Sequence, residues 1–243
     1  PCRRAQISWV LYDFANTIFS MNVISLYFAL WVTVDKGGDD ILYSLALSGS
    51  MLAVAVTSPV FGAISDRTGR KRGPLALLTA LCIAATAAIG LADELVAGLL
   101  LFSIANYGYQ SAMVFYNSML PDVAKGSHIG LVSGYGVTLG YLGSIAGLLM
   151  VKPFVANGGR IAAFVPTAIM FLLFALPCLL LVKDPEAKKI PPDLIKGAFR
   201  TLRETLSSGG RHKILLQFIF INFLVMDVVH TIVAFMSIYA NKV

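Results

Sequence analysis

Two carboxylates lie inside long apolar stretches, Asp13 and Asp227. An ionisable group in such a setting costs enough free energy to mark a working position. Asp13 sits in Trp9-Val-Leu-Tyr12-Asp13-Phe-Ala-Asn16-Thr17-Ile18-Phe19, where one helical turn places Asp13, Asn16 and Thr17 on one face. Asp227 and His230 share a face by the same spacing. Such sets can bind a proton or a small cation, and can orient a polar substrate in a central cavity. Simpler alternatives remain open. Asp13 can be an interfacial acid paired with Arg3 or Arg4, and Asp227 with His230 can form a buried structural hydrogen bond. Asn106, Tyr109 and Gln110 add polar groups suited to a cavity surface or, equally, to helix packing. No nucleophile–base set or metal-ligand spacing occurs. His128, His212 and His230 are dispersed, and neither H-E-x-x-H nor G-x-S-x-G is present. Cys2, Cys82 and Cys178 are scattered, which fits neither a disulfide framework nor a zinc site. The chain reads as a non-enzyme with no metal and no cofactor.

The elements that carry these residues follow from composition. Of 243 residues, 57% are hydrophobic and 13% charged, with a mean hydropathy of +0.78. A soluble domain is about 45–50% apolar and about 25% charged. A globule of this size cannot hide so much apolar surface, and disorder needs the opposite composition. Residues 14–34, 41–65, 73–92, 95–121, 126–151 and 161–182 contain no Asp, Glu, Lys or Arg. Each is long enough to span a bilayer, which needs about 20 apolar residues. The first run reaches back to Ile7, so the first helix is expected at about 7–34, and a seventh at about 214–241 is broken only by Asp227 and His230. The N-terminal stretch is too long and too polar for a signal peptide. With the N-terminus in the cytoplasm, 15 of the 19 basic residues fall on the inner side. The net charge of +6 is then a topology signal, and nucleic acid is not needed to explain it.

The first five connections are short, whereas residues 183–213 form a long basic segment with Pro185, Pro191 and Pro192. Within it Leu194, Ile195, Ala198, Phe199, Leu202 and Leu206 fall on one helical face, with Lys196, Arg200 and Arg203 opposite. This predicts a short helix that lies on the inner leaflet, caps the bundle, or is a solvated linker. The absence of an initiating Met suggests a trimmed chain.

The segment joining the second and third helices reads Gly62-Ala-Ile-Ser-Asp66-Arg67-Thr-Gly69-Arg70-Lys71-Arg72. It resembles the signature G-x-x-x-D-R-x-G-R-[KR]-[KR] of the major facilitator superfamily at every fixed position. The resemblance implies an all-α membrane fold of two six-helix lobes, of which residues 1–182 would be the first, 183–213 the inter-lobe loop and 214–243 the first helix of the second. It implies a conformational latch between lobes, with roles for Gly62, Asp66, Arg67, Gly69 and Arg70. Asp122 at the end of the fourth helix is then expected to pair with Arg70, the alternative being an ordinary loop acid. Lobes of this superfamily are parallel repeats, so the overlay of Asp13-Phe-Ala-Asn16-Thr17-Ile18 on Asp227-Val-Val-His230-Thr231-Ile232 is an expected correspondence. The fifth helix carries Gly130, Gly134, Gly136, Gly140, Gly143 and Gly147. That stripe resembles a gating motif without its Gly-Pro pair, and packing alone is the simpler role.

Trp9-x-x-Tyr12-Asp13-x-Ala15-Asn16, Tyr116-Asn117-x-x-Leu120-Pro121 and Ser133-Gly134-x-Gly136-x-x-x-Gly140-Tyr141-x-Gly143 further resemble the vacuole-effluxer-like family, which includes autophagy-related amino-acid exporters. The implied activity is secondary transport of a small solute, amino acids among the candidates, with H+ or Na+ as possible coupling ion and membrane lipids as partners. A cation-coupled sugar symporter of the glycoside type and a non-transporting membrane sensor or scaffold are the alternatives. The short loops and few extra-membranous residues favour a bacterial inner membrane, with a vacuolar membrane as alternative.

Overall fold

A computed structural model describes residues 3–184, 194–207 and 213–242. The prolines and basic residues expected at 185–193 and 208–212, and the side chains of Leu202 and Leu206, lie outside the described part. Among the described residues the chain is nearly all helical, without strands. The long helices are α1 (Arg3–Asp35), α2 (Asp40–Thr68), α3 (Arg72–Ile89), α4 (Leu95–Ser118), α5 (His128–Gly158), α6 (Arg160–Leu181), α7 (Leu194–Ser207) and α8 (Lys213–Lys242).

Six of these, α1, α2, α3, α5, α6 and α8 (from Leu216), are long and apolar enough to cross a membrane. The fourth run expected from sequence also folds as one helix of 24 residues. Asn106, Gln110 and Asn117 dilute its apolar character. It tolerates them because two helices cover it, α2 on one side and α3 on the other. α4 stops at Ser118, three residues short of its charge-free run, and Leu120–Val123 forms a separate single turn that carries Pro121 near its start. α5 runs on through Lys152 and Pro153 to Gly158, beyond the expected end at 151.

α1 is the most buried spanning helix and lies at the centre, against α5 and α6. Tyr12, Ala15, Ile18, Phe19 and Phe28 have no exposed surface. The Trp9 and Tyr116 rings stack at 4.5 Å between α1 and α4. Each of the two side chains also bonds the other's backbone: Trp9 Nε1 donates to the Tyr116 carbonyl, and Tyr116 Oη donates to the Trp9 carbonyl, both at 3.1 Å. The Tyr12 and Thr79 hydroxyls meet at 2.6 Å and tie α1 to α3. Two stretches of α1, Ser20–Tyr27 and Trp31–Asp35, widen to π-helical turns, in which the Phe28 N–H reaches the Val23 carbonyl. α8 packs against the first of these. Large apolar residues such as Leu52, Leu77, Leu142 and Leu173 are 55–72% exposed, the surface expected where lipid replaces water.

Candidate functional site

A cavity of about 750 Å³ opens between α1, α2, α4 and α8. Its polar lining comes from Tyr109, Gln110 and Asn117 of α4, Asp227, His230 and Thr231 of α8, Ser20 of α1 and Ser48 of α2. Helical spacing explains the convergence: Asp227 and His230 lie one turn apart, as do Tyr109, Gln110 and Met113, so each helix turns one face inward. Asp227 is the carboxylate among the described lining residues, and no lysine or arginine lines the same space. Such a surface can hold a small polar solute and offer a negative charge to a proton or an ammonium group.

Four residues expected from sequence therefore meet here: Tyr109, Gln110, Asp227 and His230. Ser20, Ser48, Met113, Asn117 and Thr231 were missed as site residues. Ser20 continues the Asp13–Asn16–Thr17 face by one turn, and Thr231 belongs to the overlaid stretch, so both were within reach of the pattern. Ser48 carried no signal beyond a hydroxyl in an apolar run.

Asp13, Asn16, Thr17 and Asn106 are placed elsewhere. An added Cβ on Gly136 would lie 3.2 Å from Asp13 Oδ2, and one on Gly140 3.5 Å from it, so the carboxylate rests over the glycines of α5. Thr17 donates to the Gly140 carbonyl at 2.6 Å. Asn16 lies within hydrogen-bonding reach of the Asp13 carboxylate and also donates to the Met113 sulfur at 2.9 Å, which puts it one side chain behind the cavity wall. Asn106 donates to the Ser50 hydroxyl at 2.7 Å. One face of α1 is broad enough to meet two neighbours, so residues sharing that face reach both α5 and α4. Among the described residues Asp13 pairs with neither Arg3 nor Arg4.

The glycine stripe is divided as well. Gly136, Gly140, Gly143 and Gly147 are buried against α1, whereas a Cβ on Gly130 or Gly134 would meet nothing within 4 Å.

The basic loop holds Gly62, Asp66, Arg67, Gly69 and Arg70. Gly69 ends α2 in the left-handed region at φ +68°, with its N–H on the Ser65 carbonyl. That turn sets which cation faces inward, and it corrects the expected Arg70–Asp122 pair. Arg70 stands exposed at the apex, its backbone N–H bonded to the Thr68 hydroxyl. Lys71, one residue later, returns toward α4 and meets Asp122 at 2.7 Å while also donating to the Ser118 carbonyl. Asp184, beyond the end of α6 and unsuspected from sequence, accepts the backbone N–H groups of Lys71 and Arg72 at 3.1 and 2.8 Å. It caps α3 from a distant segment, where a carboxylate is favoured. Asp66 is exposed, and a Cβ on Gly62 would meet nothing within 4 Å. The Arg67 guanidinium lies over Gly197 of α7.

A bundle of long helices clothed in apolar side chains, with a half-open cavity that gathers several polar groups, fits a multi-pass membrane protein. The sequence pattern of the Major Facilitator Superfamily matches residues 14–243, and the chain belongs to that superfamily. It is 28% identical to an uncharacterized MFS-type transporter, YxiO, of Bacillus subtilis (strain 168), over 96% of this chain and 59% of that protein. It is 27% identical to an uncharacterized protein of Aquifex aeolicus (strain VF5), over 98% of this chain and 57% of that one. The chain thus spans somewhat more than half the length of these curated relatives.

Proposed function

We propose that this chain supplies a six-helix N-terminal lobe (1–182), an inter-lobe segment (183–213) and the first helix of a second lobe (214–243) of a secondary active transporter. The transporter moves a small polar solute by alternating access and makes or breaks no covalent bond. The observation that carries this reading is the 750 Å³ cavity, where the polar faces of α4 and α8 meet. Asp227 and His230 orient the solute or take the coupling ion, H+ or Na+. Asp13 and Thr17 act at the α1–α5 contact, Asn16 supports the cavity wall through Met113, and Asn106 braces α4 against α2. The basic loop is the latch, with Lys71 in the pairing role at Asp122. The resemblance to vacuole-effluxer-like proteins favours amino acids, and a cavity with a carboxylate and no lysine or arginine among its described lining suits their amino group. The basic residues favour a cytoplasmic N-terminus in a bacterial inner membrane.

Counterflow with the full-length protein in proteoliposomes tests this. Exchange of a labelled amino acid, with no exchange of sugars, is the expected result. Asp227→Asn should keep exchange while losing ion-driven accumulation. Sugar exchange alone would replace the solute class. Undiminished accumulation in Asp227→Asn would remove Asp227 from coupling.

A further inference from the structure

Helix α7 has three faces. Leu194, Gly197 and Ala198 are buried, and the helix packs on α2. A Cβ on Gly197 would lie 2.5 Å from Arg67 Nη1, so glycine there lets the guanidinium rest on the helix backbone. About a third of a turn further round lies an apolar face. On it Ile195 is 60% and Phe199 42% exposed. Beyond that face Lys196, Arg200 and Arg203 are exposed. Residues 194–207 hold these three cations against one acid, Glu204, which approaches Arg200 at 3.8 Å.

The docking contact sets the level at which these faces lie. Arg67 occupies the last turn of α2, a helix long and apolar enough to cross a membrane. α7 therefore sits where the apolar slab ends, beside the basic loop Arg67–Arg72. Its two free faces match the two layers found there: apolar side chains for the acyl boundary, cations for anionic headgroups.

We propose that α7 is an anionic-lipid-binding element. Docked through Gly197 on Arg67, it inserts Ile195 and Phe199 into the bilayer surface and holds anionic headgroups with Lys196, Arg200 and Arg203. Lipid charge and the latch loop then act on one helix, which makes the loop sensitive to membrane composition. The proposal is independent of which solute the cavity takes.

The test uses full-length protein in which Cys2 and any cysteine outside residues 1–243 are replaced by Ser, since Cys82 and Cys178 are buried. Phe199→Cys carries an environment-sensitive fluorophore, in nanodiscs of phosphatidylcholine with or without phosphatidylglycerol. A nitroxide lipid, labelled just below the headgroup, and aqueous iodide serve as quenchers. Strong lipid quenching that depends on phosphatidylglycerol, with little iodide quenching, is expected. Changing Lys196, Arg200 and Arg203 to Gln should weaken the lipid-engaged state by about fivefold per charge. Iodide quenching in both lipids would make α7 a solvated linker. Protection from both quenchers would assign its apolar face to the rest of the protein. Equal lipid quenching with and without phosphatidylglycerol would remove the charge recognition. Any of these three results overturns the proposal.

Discussion

Lys71 and Arg70 are neighbours in sequence with opposite fates, and the left-handed turn at Gly69 separates them. The Lys71–Asp122 pair has side-chain exposures of 12% and 30%, so water screens it only partly. Breaking it should cost about 1 kcal/mol, with a further loss where Lys71 also bonds the Ser118 carbonyl. Lys71→Glu and Asp122→Lys should each lower the thermal midpoint, and the double variant should recover most of the loss. Arg70→Glu should leave the midpoint nearly unchanged. A larger drop for Arg70→Glu than for Lys71→Glu would reverse the assignment. Asp184 makes a second prediction at this scale. Asp184→Asn keeps an oxygen for the two N–H groups and should be mild, whereas Asp184→Ala should cost about 1 kcal/mol in thermal unfolding. Equal effects would deny the capping role.

At the scale of the element, the contact of α5 with α1 depends on absent side chains. A Cβ on Gly143 would lie 2.6 Å from both the Phe14 carbonyl and Thr17 Oγ1, closer than any relaxed contact. Gly143→Ala should therefore push the helices apart and cost about 1–3 kcal/mol. Gly130→Ala meets open space and should be neutral or stabilising by up to about 1 kcal/mol, because Gly weakens a helix interior. Urea or thermal unfolding in detergent compares them, and similar losses for both would show that the stripe is not divided as described. α4 makes the complementary point. Its polar residues lower its hydropathy below that of the other spans, and they are affordable because α2 and α3 cover the helix while Gln110 and Asn117 reach the cavity.

For the whole molecule, the cavity and the apolar exterior are both open, and the membrane reading predicts water in the first and lipid on the second. Ser48 and Thr231 line the cavity, whereas Ile169 is 60% exposed on the apolar exterior. Single cysteines at Ser48 and Thr231 should react with a water-soluble thiol reagent much faster than one at Ile169, because the thiolate needs water to form. Equal rates at Ser48 and Ile169 would mean that the cavity is not hydrated. The cavity needs α8 alongside α1, α2 and α4, so its walls come from both sides of the long basic segment.

Much of this was legible in the residues. Charge-free runs located the first six long helices, and a run broken by Asp227 located α8, because a bilayer imposes length and apolarity on each helix separately. The turn at Gly69 was legible because a left-handed helix end acts locally, and a helix at 194–207 was legible because amphipathicity is periodic, although packing on α2 buries Leu194 and Ala198 and leaves Ile195 and Phe199 exposed. Contacts between helices were not. Which neighbour a side chain meets depends on how each helix is rotated and how deep it sits, and an apolar run of sequence carries neither. Tertiary structure alone turned Asp13 and Thr17 toward the α5 glycines and Asn16 toward Met113. It also gave Asp122 to Lys71, brought Asp184 across to cap α3, and gathered Asp227 and His230 with Tyr109 and Gln110 around one cavity.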